Sequence, residues 1–156
     1  MATALRALAD ADLDPVFAWE GDPRARRIAV FTRENPADRA AFDAHYRRIL
    51  ADPSVLVQAV VHEGQLAGTI GSFSIDGERE VTYWIDPARW GRGIATEALR
   101  QLLTLETERP LHARVAATNS ASRRVLEKVG FRLVDDPPST VTWRGVEVTE
   151  LTLVLQ

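Results

Sequence analysis

Between Tyr83 and Leu103 the sequence reads YWIDPARWGRGIATEALRQLL. A β-branched and aromatic run passes into a short loop that holds Arg89, Gly91, Arg92 and Gly93, and the loop opens a helix-like pattern. A helix start leaves several backbone N–H groups unpaired and carries a partial positive charge. Glycine lets an anion come close to that backbone. Arg89 and Arg92 add full charges, so the loop can hold two linked phosphates. The dinucleotide fingerprint requires a third glycine three residues after Gly93, where Thr96 stands. The P-loop requires four residues between its glycines and a Gly-Lys-Ser/Thr end, which is missing. A pyrophosphate loop of another kind remains, beside the plainer reading of a tight turn before a helix.

The flanking elements must position that loop. Ser54–Glu63, Gln65–Ile75 and Arg79–Ile85 are β-rich runs broken at Glu63-Gly64 and Asp76-Gly77, which predicts an antiparallel meander. Gly68 and Gly71 inside the second run predict a bulge or a close backbone approach. Apolar residues then recur every four positions from Ile94 to Leu103, an amphipathic helix. A strand at 111–117 completes a βαβ unit with parallel strands, with the loop at their carboxyl end, where such sheets bind ligands. NSASRRVLEKVG reads as a short helix capped by Asn119 or Ser120 and stopped by Gly130. FRLV opens another strand. The tail predicts a hairpin turning at Arg144-Gly145, with a bulge near Thr149-Glu150 where the apolar parity flips. The first third reads as helical throughout, with Asn35 and Pro36 opening the main helix.

The chain has 156 residues, enough for a single domain with a core. A net charge of −3 gives no general footprint for nucleic acid or an anionic membrane. Without cysteine there is no disulfide, thiolate metal site or cysteine nucleophile, and His45, His62 and His112 show no ligand spacing. No metal is expected. The acidic N-terminus is not a signal peptide and no run reaches the length of a membrane span, so the expected compartment is the cytoplasm.

YWIDPARWGRGIATEAL together with N-x-x-S-x-x-V-L-E-K-x-G-F, Asn119 to Phe131, resembles the GNAT superfamily of acyl-CoA-dependent N-acyltransferases. The sequence is most similar to the branch of ribosomal-protein-alanine N-acetyltransferases. The order of elements agrees over roughly residues 54–156, about two-thirds of the chain. The resemblance implies an α/β (α+β) single domain spanning 1–156. Its mixed central sheet would have six to seven strands, with a helical acceptor-side part over 1–53 and an acyl-CoA-binding core over 54–156.

It also implies acetyl-CoA as cosubstrate. The pyrophosphate would lie on the amides of Trp90, Gly91, Arg92, Gly93, Ile94 and Ala95, with Thr96 at the helix start and Arg89 beside them. The pantetheine arm would run along the main chain of Trp84, Ile85 and Asp86 and meet the Asn119 side chain, a residue that also reads as a simple N-cap. Arg123 and Arg124 lie within reach of the phosphates or form a solvated face. The tyrosine that many members place seven residues after the asparagine is Leu126 here. Ser122 is the branch's substitute, a hydroxyl able to bond a developing thiolate as well as a polar first-turn residue. Glu80 is the candidate base acting through water, with Glu78, Glu20, Asp22 and His45 as alternatives. The expected reaction is direct attack of a primary amine on the thioester. The alternative left open by the missing tyrosine is a CoA-binding module without turnover. The acceptor is not legible, and a homodimer accords with family habit.

Overall fold

The computed structural model describes residues 2–134 and 138–156. The elements run β1 (Thr3–Ala7), α1 (Leu13–Glu20), α2 (Pro23–Ala29), α3 (Arg39–Ala51), β2 (Leu56–His62), β3 (Gln65–Ile75), β4 (Glu78–Ile85), α4 (Ile94–Leu105), β5 (Leu111–Ala116), α5 (Ser120–Val129), β6 (Arg132–Leu133), β7 (Ser139–Trp143) and β8 (Val146–Leu155). The strands form one mixed sheet in the order β1-β2-β3-β4-β5-β8-β6, with β7 added on β8.

The meander β2–β3–β4 forms as predicted, and Glu63-Gly64, Asp76-Gly77 and Arg144-Gly145 all turn with positive φ at both residues. Such primed turns match the twist of the strands they join. Gly68 and Gly71 mark close approaches. A Cβ on Gly68 would lie 2.3 Å from the Trp84 carbonyl oxygen, and one on Gly71 would lie 2.2 Å from that of Leu56. The β2–β3 register shifts beside Gly68, leaving Ala67 as the extra residue. The Ala67 carbonyl accepts from the Asp86 N–H at 2.8 Å, which fixes the end of β4 where the glycine loop begins.

Four expectations change. Residues 3–7 form an edge strand on β2 rather than a helix. Ala, Leu and Arg favour helix locally, but Thr3 and Leu5 turn inward while their neighbours stay out, and Gln101 Nε2 donates to the Thr3 carbonyl at 2.6 Å. This strand brings the sheet to eight strands where six to seven were expected. The main N-terminal helix starts at Arg39, because Asp38 rather than Asn35 accepts from the Ala41 N–H at 2.9 Å. No bulge occurs at Thr149-Glu150, where both residues stay in unbroken register with β7. The apolar parity flips because the outer half of β8 pairs with β7, and the inner half pairs with β5 and β6 and buries Leu151 and Leu153.

The larger core lies between the sheet and α4 and α5. Ile94, Ala98, Leu99 and Leu102 pack against Ile70, Val81, Leu111 and Leu153 there. Burying each of the larger side chains contributes about 1.5–3 kcal/mol. A smaller cluster of Val16, Phe42 and Tyr46 lies under α1 and α3.

β4 and β5 are parallel, as the βαβ reading requires, but they pair only at Arg79↔Leu111 and Glu80↔His112. That seam is fastened by Glu106, just after α4. Glu106 Oε1 accepts from Arg79 Nε at 2.7 Å and from Ser72 Oγ at 2.5 Å, with both ion-pair side chains nearly buried. Burial pushes the Glu106 carboxyl up, but the bonds from Ser72, Arg79 and the Glu108 N–H outweigh it and hold it low.

Candidate active site

Beyond the seam a cleft of about 410 Å³ opens. Its walls are the end of β4, the glycine loop, the first turn of α4, the inner face of α5 and the apolar side of α2. Gly91 and Gly93 both have positive φ, 79° and 76°, and nothing lies within 4 Å of where their Cβ atoms would be. α2, α3 and α5 are each capped by a side chain, from Asp22, Asp38 and Asn119. α4, like α1, has no side-chain cap: its N-cap is Gly93, and its first turn, Ile94, Ala95 and Thr96, lines the cleft. These are orphan donors of a 12-residue helix aimed at an open space.

Most of the sequence-predicted residues meet here. Trp84, Ile85, Arg89, Trp90, Gly91, Gly93, Asn119 and Ser122 line the cleft with that first turn. The Trp90 indole folds back to donate to the Ile85 carbonyl at 3.1 Å, and the Arg24 guanidinium sits 5.8 Å from its ring centroid. Asn119 Oδ1 accepts from the Ser122 N–H at 3.2 Å, so the side chain predicted to meet pantetheine acts as the helix cap.

Others lie elsewhere. Asp86 and Arg92 face a second, polar cleft of about 400 Å³ with His62, Glu63 and Gln65, and Arg89 borders both. Asp86 caps the turn at Pro87–Arg89 by accepting from the Ala88 N–H at 3.0 Å. Glu80 is outside the main cleft, on the face of β4 that carries Trp84. It is buried, with Arg114 Nε 2.6 Å from Oε1. Burial raises its carboxyl pKa, Arg114 pulls it back, and Glu150 and Glu78 push it further up.

The alternative bases are engaged. Glu20 accepts from Tyr46 Oη at 2.7 Å and from Arg33 at 3.1 Å, and Asp22 caps α2. His45 is held below its ordinary pKa by burial and by Arg48. Arg123 pairs with Glu127 at 3.3 Å, whereas Arg124 faces the cleft.

Sequence reasoning missed three contributions. Tyr83 reaches Ser122 Oγ at 2.6 Å, and burial pushes its phenol up to about 12. The pair is 39 residues apart in sequence, so no local spacing points to it. Ala25, Ile28 and Ala29 of α2 roof the cleft. Lys128 joins Arg124 one turn on along α5, a spacing of four that could have been read.

Residues 3–132 match the family model for the acetyltransferase (GNAT) domain. YdaF of Bacillus subtilis (strain 168), a candidate ribosomal N-acetyltransferase, is 33% identical over 113 residues. That match spans 65% of this chain and 62% of the relative. Among solved structures, an N-acetyltransferase from Staphylococcus aureus Mu50 superposes with a TM-score of 0.79 at 18% identity, covering 100% of this chain and 99% of the other. The spermidine N-acetyltransferase of Vibrio cholerae, solved with CoA and spermine, gives 0.78 at 19% identity, covering 98% and 95%. At these identities the structures speak for the fold, and they share it over the whole chain. With the family model matched from the first strand to the start of β6, the chain belongs to the GNAT acetyltransferase family.

Proposed function

We propose that the protein transfers the acetyl group of acetyl-CoA to a primary amine by direct attack. The observation that carries this reading is the N-terminus of α4, without a side-chain cap, opening into the cleft directly after two positive-φ glycines. It suits a pyrophosphate: the amides of Gly91 to Thr96 would hold the two phosphates, and Arg89, Arg124 and Lys128 add charge nearby. The pantetheine arm would follow the edge of β4 at Trp84 and Ile85, which brings the thioester towards Ser122. Strand amides would stabilise the oxyanion. Glu80, through water, would take the amine's proton. No metal enters the scheme.

On this reading residues 1–156 act as one catalytic domain, with residues 1–53 shaping the acceptor side and 54–156 the acyl-CoA core. The acceptor is an amine of a small molecule or a protein N-terminus, and the relative named for ribosomal acetylation favours the latter. Cytoplasmic acetyl-CoA would supply the acyl group. Among the described residues no helix is long and apolar enough to cross a membrane.

The test is calorimetric titration with acetyl-CoA, with ATP as control, on the natural chain and on Gly91→Val/Gly93→Val. Open space surrounds either Cβ, but positive φ strains any substitution here by about 1–2 kcal/mol per residue, so the fold of the double variant is checked by circular dichroism before the titration. Micromolar binding that the variant abolishes is expected. Equal affinity in both proteins would sink the assignment.

A further inference from the structure

Ser122 does not stand alone in the cleft. Its backbone N–H is held by Asn119 Oδ1 at 3.2 Å and its hydroxyl lies 2.6 Å from Tyr83 Oη. The two hydroxyls come from different elements, β4 and α5, and both line the cleft whose other end is the glycine loop. Leu126, where a tyrosine would otherwise project from α5, is fully buried in the core.

We propose that Tyr83 is the positioning residue for Ser122, donating its phenolic proton to Ser122 Oγ so that the serine's own proton points at the leaving sulfur. This rests on the acetyl-CoA reading above. The tyrosine's second acceptor, the Ser122 carbonyl, is 3.3 Å away, so the hydroxyl is the nearer partner. Burial keeps the phenol protonated across the working pH range, which makes it a constant donor rather than a proton source. A hydroxyl that accepts such a bond is polarised and donates more strongly in turn.

The transfer then balances. The amine lone pair forms the C–N bond and the amine loses its proton to the base. The C–S bond breaks, and the electron pair leaves on sulfur. Ser122 donates a hydrogen bond to that thiolate, and solvent supplies the proton that completes free CoA.

The chain has two tyrosines, Tyr46 and Tyr83. Tyr46 bonds Glu20 in the smaller cluster and serves as an internal control. Protein labelled with carbon-13 at tyrosine Cζ is titrated with CoA and with desulfo-CoA, which lacks the sulfur. The Tyr83 resonance should move with CoA and not with desulfo-CoA, and Ser122→Ala should abolish the movement. In acetyl transfer, Tyr83→Phe should lower kcat about three- to tenfold with KM for acetyl-CoA unchanged, the scale of one hydrogen bond. Tyr83→Phe/Ser122→Ala should be no slower than Ser122→Ala alone. If both ligands bind but move Tyr83 alike, or if the two losses multiply, the positioning role is overturned. If neither ligand binds, the acetyl-CoA reading itself falls.

Discussion

Glu80 is a carboxyl whose surroundings push its pKa up. It is 7% exposed, faces Arg114, and has Glu78 and Glu150 near enough to oppose its charge. Its pKa is raised by burial, so the folded state favours the protonated form. The sign follows by linkage. The carboxyl's contribution to stability is complete below the ordinary glutamate value of about 4.3 and is lost as pH climbs through the raised folded value. Glu80→Gln should therefore lose less stability than the natural chain between pH 4 and pH 8, read from thermal unfolding. If Glu80 is the base, its limb in kcat/KM lies above the ordinary glutamate range, and Glu80→Gln removes that limb. A limb that persists unchanged in the variant moves the base elsewhere.

At the scale of elements, close backbone approach is the controlling feature. Gly68 sits beside the Ala67 bulge, against the Trp84 carbonyl. A methyl group there has nowhere to go, since its neighbour is main chain in the next strand. Gly68→Ala should cost about 1–3 kcal/mol in urea unfolding, the usual cost of overpacking, and should weaken acetyl-CoA binding by displacing the end of β4. Stability within 0.5 kcal/mol of the natural chain would show that β3 and β4 can part without penalty. The two glycines were legible because glycine inside a β-branched run has few other uses. The amphipathic stripe of α4 and the cap and stop of α5 were equally plain, because period and punctuation are local signals. β1 was not legible, since Thr-Ala-Leu-Arg-Ala has helix-forming residues and becomes a strand only through β2 and Gln101. Tyr83 and the roof formed by α2 were hidden for the same reason: their partners are distant in sequence.

Across the whole molecule the C-terminal hairpin meets the N-terminal helical segment. The β7–β8 hairpin reaches the segment after α2, where Trp143 meets Phe31 edge-on at 5.4 Å and Arg144 donates to the Thr32 carbonyl. The hairpin and the helical N-terminal third therefore frame one side of the sheet together. Between them runs the seam of two residue pairs that joins β4 to β5. The sheet is therefore two half-sheets, β1–β4 and β5–β8, joined along a short seam. Main-chain groups alternate sides along a strand. The Asp86 N–H is turned to β3, so those of Tyr83 and Ile85 face the gap. In hydrogen–deuterium exchange, these two amides should exchange far faster than Leu111 and His112 in the free protein. A bound pantetheine arm would act as a substitute strand and slow them, closing the gap between the two half-sheets. Tyr83 and Ile85 amides already protected without ligand would mean that the halves stay shut on their own.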